Sequence, residues 1–138
     1  MAGPPKSPQS GDTRRSLGRR GEALAADYLQ AHRYQILERN YRSPYGEIDL
    51  IARQWVGEKP DNDSVLVFIE VKTRSSGAYG FPEEAVTLSK QTHLIHSAQA
   101  YLQSHPEQEG SWRIDVIAVR TDRSGGLPEI KHFENAVH

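Results

Sequence analysis

The succession of apolar patterns in this chain predicts an α/β domain: a helix, three strands, a second helix, a fourth strand and a short final strand, forming a mixed sheet flanked by helices. Three observations carry that expectation. Two stretches, 16–31 and 87–103, repeat apolar residues at helical spacing. Between them lie three runs rich in β-branched, aromatic and leucine residues, separated by turn chemistry rather than by a helix. One more such run follows the second helix, and a strand–helix–strand passage sets its two strands parallel, so both faces of the sheet need cover.

Taken in order, residues 1–13 are rich in Pro, Ser and Gly without periodicity. They are expected to form a disordered tail ahead of a single domain, 14–138. From Ser16, read as an N-cap, Leu17, Gly21, Leu24, Tyr28 and Ala31 recur on one stripe, so the first helix should run to about Ala31. Gly18 and Gly21 each cost about 1 kcal/mol in a helix interior. That suits a backbone approaching a neighbouring strand or a phosphate, or else a loose first turn. Tyr34 to Arg42 reads as the first strand, and Ser43-Pro44-Tyr45-Gly46 as a turn. The second strand, about Glu47 to Arg53, should therefore return antiparallel. Gln54 to Asp63 reads as a loop, and Ser64 to Thr73 as the third strand of a meander. Ser75 to Pro82, with Gly77 and Gly80, is expected to be a flexible connection. Thr87 should cap a helix through about Gln103, with Leu94, Ile95, Ala98, Tyr101 and Leu102 inward and Pro106 and Gly110 beyond its end. Trp112 to Thr121 is the fourth strand, and Ser124-Gly125-Gly126 turns the chain into the last, Glu129 to Phe133.

Composition narrows the class. The length of 138 residues suits one core. No run approaches the roughly 18 to 20 apolar residues of a membrane span, and the N-terminus lacks the apolar stretch of a secretory signal. With no cysteine, disulfides and thiolate metal sites are excluded. A soluble cytoplasmic protein is expected, with no membrane partner and with a homodimer left open. A net charge of −1 argues against a DNA-coating protein, but charge is unevenly placed. Arg14, Arg15, Arg19 and Arg20 crowd one segment, while the acids gather in 58–63 and 107–109. Solvated faces and phosphate contacts are both open readings for those arginines.

The chemistry lies in two strands that carry charge where apolar residues are expected: Glu47 and Asp49 in the second, Glu70 and Lys72 in the third. Residues two apart on a strand share a face. If the strands pair, three carboxylates and an ammonium converge, and such groups are costly to bury unpartnered. A divalent cation is one natural partner. An ordinary surface salt bridge between Glu70 and Lys72, with Asp49 as a strand-end residue, is the other reading.

Asp49 followed by Glu70-x-Lys72 resembles the Asp…(Asp/Glu)-x-Lys signature of the restriction-endonuclease-like nucleases. The wider text, Gly18-x-x-Gly21-Glu22-x-x-Ala25-x-x-Tyr28-Leu29, Ile36-Leu37-x-Arg39-Asn40, Gly46-Glu47-Ile48-Asp49-Leu50-Ile51, Glu70-Val71-Lys72-x-Arg74 and Ala85-Val86, is similar to the YraN-type family of small bacterial proteins. That resemblance implies a restriction-endonuclease-like core and a metal-dependent DNA endonuclease, with branched or damaged DNA as one substrate class. It implies Asp49 and Glu70 as ligands of Mg²⁺ or Mn²⁺, with the Val71 carbonyl as a third. Lys72 would orient or deprotonate the attacking water, and Glu22 would correspond to the helix-borne acid of archaeal Holliday-junction resolvases, with a solvated helix acid as the other open reading. Glu47 is expected to support the ligands from behind or to cap the turn at Gly46. Arg14, Arg15, Arg19, Arg20, Arg42, Arg74 and Lys90 are the expected contacts to nucleic acid.

Two further classes stay open. One is a non-catalytic nucleic-acid-binding protein that keeps the nuclease fold; the other is a protein-interaction module whose acids hold a structural ion. His93 and His96, three apart on a helix, could share a zinc ion but have no evident third ligand in the sequence. The remaining histidines read as surface residues.

Overall fold

The structure, a computed structural model, describes residues 10–56, 63–75, 86–121 and 126–138, with side chains from Arg15 onward. Its elements are α1 (Ser10–Ala31), β1 (Tyr34–Ser43), β2 (Gly46–Trp55), β3 (Ser64–Ser75), α2 (Leu88–Ser104), β4 (Trp112–Thr121) and β5 (Glu129–Val137), with a 3-10 turn at Pro106–Gln108 before β4. The α/β order expected from the patterns is the order observed. The five strands form one mixed sheet in chain order, antiparallel except for the parallel β3–β4 pair that α2 connects.

Each helix covers one face. Ala25, Ala26 and Leu29 of α1 pack on Leu50, Ala52, Val67, Ile69, Ile117 and Val119. Leu94, Ala98 and Tyr101 of α2 pack on Ile51, Leu66, Phe68, Ile114 and Val116. Because β3 is sandwiched between both helices, Leu66 to Ile69 are wholly buried. No helix among the described residues is long and apolar enough to cross a membrane.

Several boundaries differ from expectation for identifiable reasons. Helix α1 begins at Ser10, so Ser16 lies inside it, and 10–13 are helical rather than tail; residues 1–9 fall outside the described residues. The α1 contact runs through the small residues Gly21, Ala25 and Ala26 with Leu29, while Leu24 and Tyr28 flank it and Ala31 is exposed. Large side chains drew the expected stripe, but small ones let the helix lie close to the sheet. The α2 cap is as expected: the Thr87 hydroxyl accepts from the Lys90 N–H at 3.1 Å. Strand β5 runs past Phe133 to Val137, because it is fastened by a buried acid. Asp115, fully buried on β4, accepts from the Asn135 N–H at 2.8 Å and contacts His132 Nε2 at 2.7 Å and Arg113 Nε at 3.0 Å. His132 is therefore no surface histidine; its other ring nitrogen meets the Tyr28 hydroxyl at 3.2 Å. The expected connection with Gly77 and Gly80, most of the 54–63 loop, and Ser124 and Gly125 of the last turn lie outside the described residues.

Candidate active site

The buried run of β3 spans Leu66 to Val71 and includes Glu70, which alternation places with Leu66 and Phe68 on the α2 face. Its side chain is only 5% exposed. Lys72, two residues on, brings Nζ to 3.4 Å from Glu70 Oε1, and Lys90 in the first turn of α2 reaches the same oxygen at 3.5 Å. The Thr87 cap fixes that first turn and so aims Lys90. The other oxygen, Glu70 Oε2, is buried without a hydrogen-bond partner. Leaving a buried polar atom unpaired costs about 1–3 kcal/mol, more for a charged group.

Asp49 lies beside it. The β2–β3 ladder runs to the Leu50–Ile69 pair, and just beyond it Asp49 Oδ2 accepts from the Val71 N–H at 2.8 Å. Burial is the main force raising the Asp49 pKa, and the Glu70 charge adds to it; the Val71 N–H opposes them, Glu22 adds a little and Lys90 subtracts. The result is a carboxyl moved from 3.8 to about 7. The strict two-residue period expected for these acids does not run through Asp49. Ile48 and Ile51 both face α2 while Leu50 faces α1, so the alternation slips between Ile48 and Leu50. Opposite the slip, Asn40 adopts a left-handed conformation with φ 54°, which asparagine tolerates better than most residues.

Glu22 arrives from α1 by close packing. A Cβ on Gly21 would stand 1.9 Å from Thr73 Oγ1, so only glycine lets α1 rest against β3 immediately after Lys72. Gly18 meets nothing within 4 Å, and its cost is not repaid by any such approach. With its amide nitrogen turned inward, Asn40 donates to Glu22 Oε2 at 3.1 Å and to Glu47 Oε1 at 3.2 Å, tying the two acids together. Burial raises the Glu22 pKa first, Glu47 and Glu70 raise it further, and the Asn40 amide lowers it.

This donor set fits a hard divalent cation in its chemistry: a buried carboxylate with one unpartnered oxygen, and a second carboxylate held protonatable beside it. Among the described residues, no group of three or more His, Cys, Asp or Glu side chains is close enough to hold a metal ion. An ion at Asp49 and Glu70 would thus complete its shell with backbone oxygen and water, as Mg²⁺ commonly does.

Residues 21–119 match the family described as "Uncharacterised protein family UPF0102". The chain belongs to UPF0102. It is 44% identical over 122 residues to a UPF0102 protein of Geobacter metallireducens, covering 88% of this chain and 92% of the relative. A UPF0102 protein of Desulforamulus reducens is 44% identical over 125 residues, 90% of this chain and 97% of the relative. One of Chlorobium chlorochromatii is 53% identical over 103 residues, 75% and 73% of the two chains.

The UPF0102 match spans Glu22, Glu47, Asp49, Glu70, Lys72 and Lys90, which the fold gathers from α1, β2, β3 and α2. It begins after Arg15, Arg19 and Arg20, which are exposed on α1; the Arg14 side chain lies outside the described residues. Arg42 and Arg74 are exposed on β1 and β3. Lys90, expected as a contact to nucleic acid, lies with its ammonium 3.5 Å from Glu70 Oε1. Asn40 was not foreseen as part of the site. Its signal in the sequence is an asparagine in mid-strand, where a left-handed kink is the usual use of that residue.

Proposed function

We propose that this UPF0102 chain is a metal-dependent DNA endonuclease of the restriction-endonuclease-like kind that its Asp49 and Glu70-x-Lys72 pattern and the YraN-type sequences resemble. The observation that carries the reading is Glu70: a buried carboxylate on a core strand whose Oε2 has no partner while two ammonium groups crowd Oε1. In this reading Asp49, Glu70 and the Val71 carbonyl hold Mg²⁺ or Mn²⁺. When bound, such an ion supplies Lewis-acid polarisation and charge neutralisation to a phosphodiester.

The chain's own groups do the rest. Lys72 keeps a positive charge within 3.4 Å of Glu70, placed to orient a water and to offset charge developing on phosphate. Lys90 reaches the same Glu70 oxygen from α2. Glu22, steadied by Asn40, is the acid available to receive a proton. The exposed arginines of α1, with Arg42 and Arg74, supply attraction to the backbone of the nucleic acid.

A second reading draws on the same two lysines. Because both pair with Glu70, the site is also consistent with a nucleic-acid-binding protein in which they neutralise a buried acid and no bond is cut. The two readings part in a cleavage assay with Mg²⁺ or Mn²⁺ across single-stranded, duplex, flap and four-way-junction DNA. Cleavage lost in Asp49→Asn and Glu70→Gln supports the endonuclease. Binding without cleavage of any form supports the second reading.

A further inference from the structure

A second feature sits along α2 from the acidic site. Tyr45, at the tip of the β1–β2 hairpin, is 51% exposed and stands edge-on to His96, with ring centroids 5.3 Å apart at 61°. Together with Gln99, Ala100 and Gln103 these two rings line a cleft of about 280 Å³. Ala100 leaves room, Tyr45 and His96 offer ring surfaces, and the two amides each offer a donor and an acceptor. None of these five lining residues is Lys, Arg, Asp or Glu. The lining thus offers ring surfaces and amide groups but no cation for a phosphate.

The hairpin tip is held in place by Ser43. The Ser43 hydroxyl accepts from the Tyr45 N–H at 3.1 Å and donates to the Gly46 carbonyl at 3.1 Å. Its single proton being used, the buried Ser97 hydroxyl is the donor in their 2.8 Å contact, which pins the tip to α2. Gly46, at φ 144°, holds a backbone conformation that a side chain would strain, although a Cβ there would make only ordinary contact, at 3.7 Å, with His93 and Ser97. An exposed tyrosine on a backbone fixed at three points loses little freedom on stacking.

We propose that the Tyr45–His96 cleft is a nucleobase subsite that takes one unpaired base from a DNA strand whose backbone runs to the acidic site. Asp49 lies four positions beyond Tyr45, at most about 13 Å along the chain, a span that one bound strand can cover. The inference rests on the nucleic-acid part of the proposed function but not on turnover. It gives the site a preference for DNA with unpaired bases over continuous duplex, because a stacked and paired base cannot enter the cleft.

The test is binding of labelled oligothymidylate, of an abasic strand of equal length and of a duplex, followed by fluorescence anisotropy with Ca²⁺ in place of Mg²⁺ or Mn²⁺. Wild-type protein should bind the intact strand about tenfold or more tightly than the abasic one, the scale of one base–aromatic stack. Tyr45→Ala should erase that preference with the abasic strand and the duplex unaffected, and Tyr45→Trp should restore it. Equal binding of intact and abasic strands by the wild type overturns the proposal, as does a Tyr45→Ala loss shared by all three ligands. Wild-type protein that binds no DNA overturns both this proposal and the nucleic-acid reading. Discrimination by Tyr45 in a protein that cuts nothing supports the cleft and removes only the endonuclease.

Discussion

At the residue scale the decisive group is Asp49, whose carboxyl holds a proton more tightly in the folded protein, at about 7, than the ordinary 3.8 of an unfolded chain. Between those two values the native state carries more protons than the unfolded state, so this group's effect on stability falls as pH rises. The metal-free protein therefore gains most from Asp49 below about pH 4 and loses that gain progressively up to about pH 7. A shift of this size sets a ceiling of about 4 kcal/mol. Asp49→Asn removes the proton linkage and the repulsion with Glu70 together. The variant should melt above wild type at pH 7 to 8 in EDTA, the difference should shrink towards pH 4, and Mn²⁺ should raise the melting temperature of wild type alone. Parallel melting curves of the two proteins across that pH range would show that the fold does not hold the Asp49 carboxyl above its ordinary range. Asp115 acts in the opposite sense. Its burial is outweighed by hydrogen bonds from His132, Arg113 and Asn135, which hold its carboxyl below the usual range, so its stabilisation is lost as pH falls. The comparison of wild type with Asp49→Asn cancels that contribution.

At the element scale the contact that builds the site is α1 on β3. Gly21→Ala forces a methyl group onto Thr73, whose Oγ1, Cγ2 and Cβ would stand at 1.9, 2.8 and 2.9 Å. Overpacking of this kind costs roughly 1–3 kcal/mol, against up to about 1 kcal/mol gained in helix propensity. The variant should lower the melting temperature and, by displacing Glu22, impair the site. Thr73→Ala in the same chain should recover part of the loss, a coupling readable in a double-mutant cycle. Gly18→Ala meets no neighbour and should stabilise by up to about 1 kcal/mol. A Gly21→Ala protein as stable as Gly18→Ala would remove the close-approach account. The elements themselves were largely legible in the sequence, since β3 and β4 are long apolar runs and Thr87 is an N-cap residue ahead of a helically periodic stretch. The acids Asp49 and Glu70 were legible too, as charges on such runs. The rest depends on tertiary contacts that periodicity does not encode. The slip at Asn40 is set by a backbone conformation, and the extent of β5 by Asp115 reaching His132 and Asn135 across the sheet edge. Lys90 on Glu70 required knowing how α2 lies over β3.

At the scale of the whole molecule, the proposed function requires a chain of net charge −1 to draw in a polyanion through local charge. Arg15, Arg19 and Arg20 line the exposed approach on α1, the helix that also carries Glu22. Replacing Arg14, Arg15, Arg19 and Arg20 together should weaken binding to all DNA sequences alike and flatten the dependence of log affinity on log salt. An unchanged slope would return these arginines to the role of solvated surface. The central claim, that the fold assembles Asp49, Glu70 and Lys72 to cut phosphodiesters, is tested most directly through Lys72. The measurement is single-turnover cleavage of labelled DNA in Mn²⁺ by wild type and Lys72→Ala, with Mn²⁺ affinity determined by calorimetry on the same preparations. The account predicts Mn²⁺ affinity retained or slightly increased in Lys72→Ala, while cleavage falls by roughly 10²-fold or more. Wild-type protein that binds Mn²⁺ and DNA yet cuts no form of it, or a Lys72→Ala variant that cuts as fast as wild type, would contradict it.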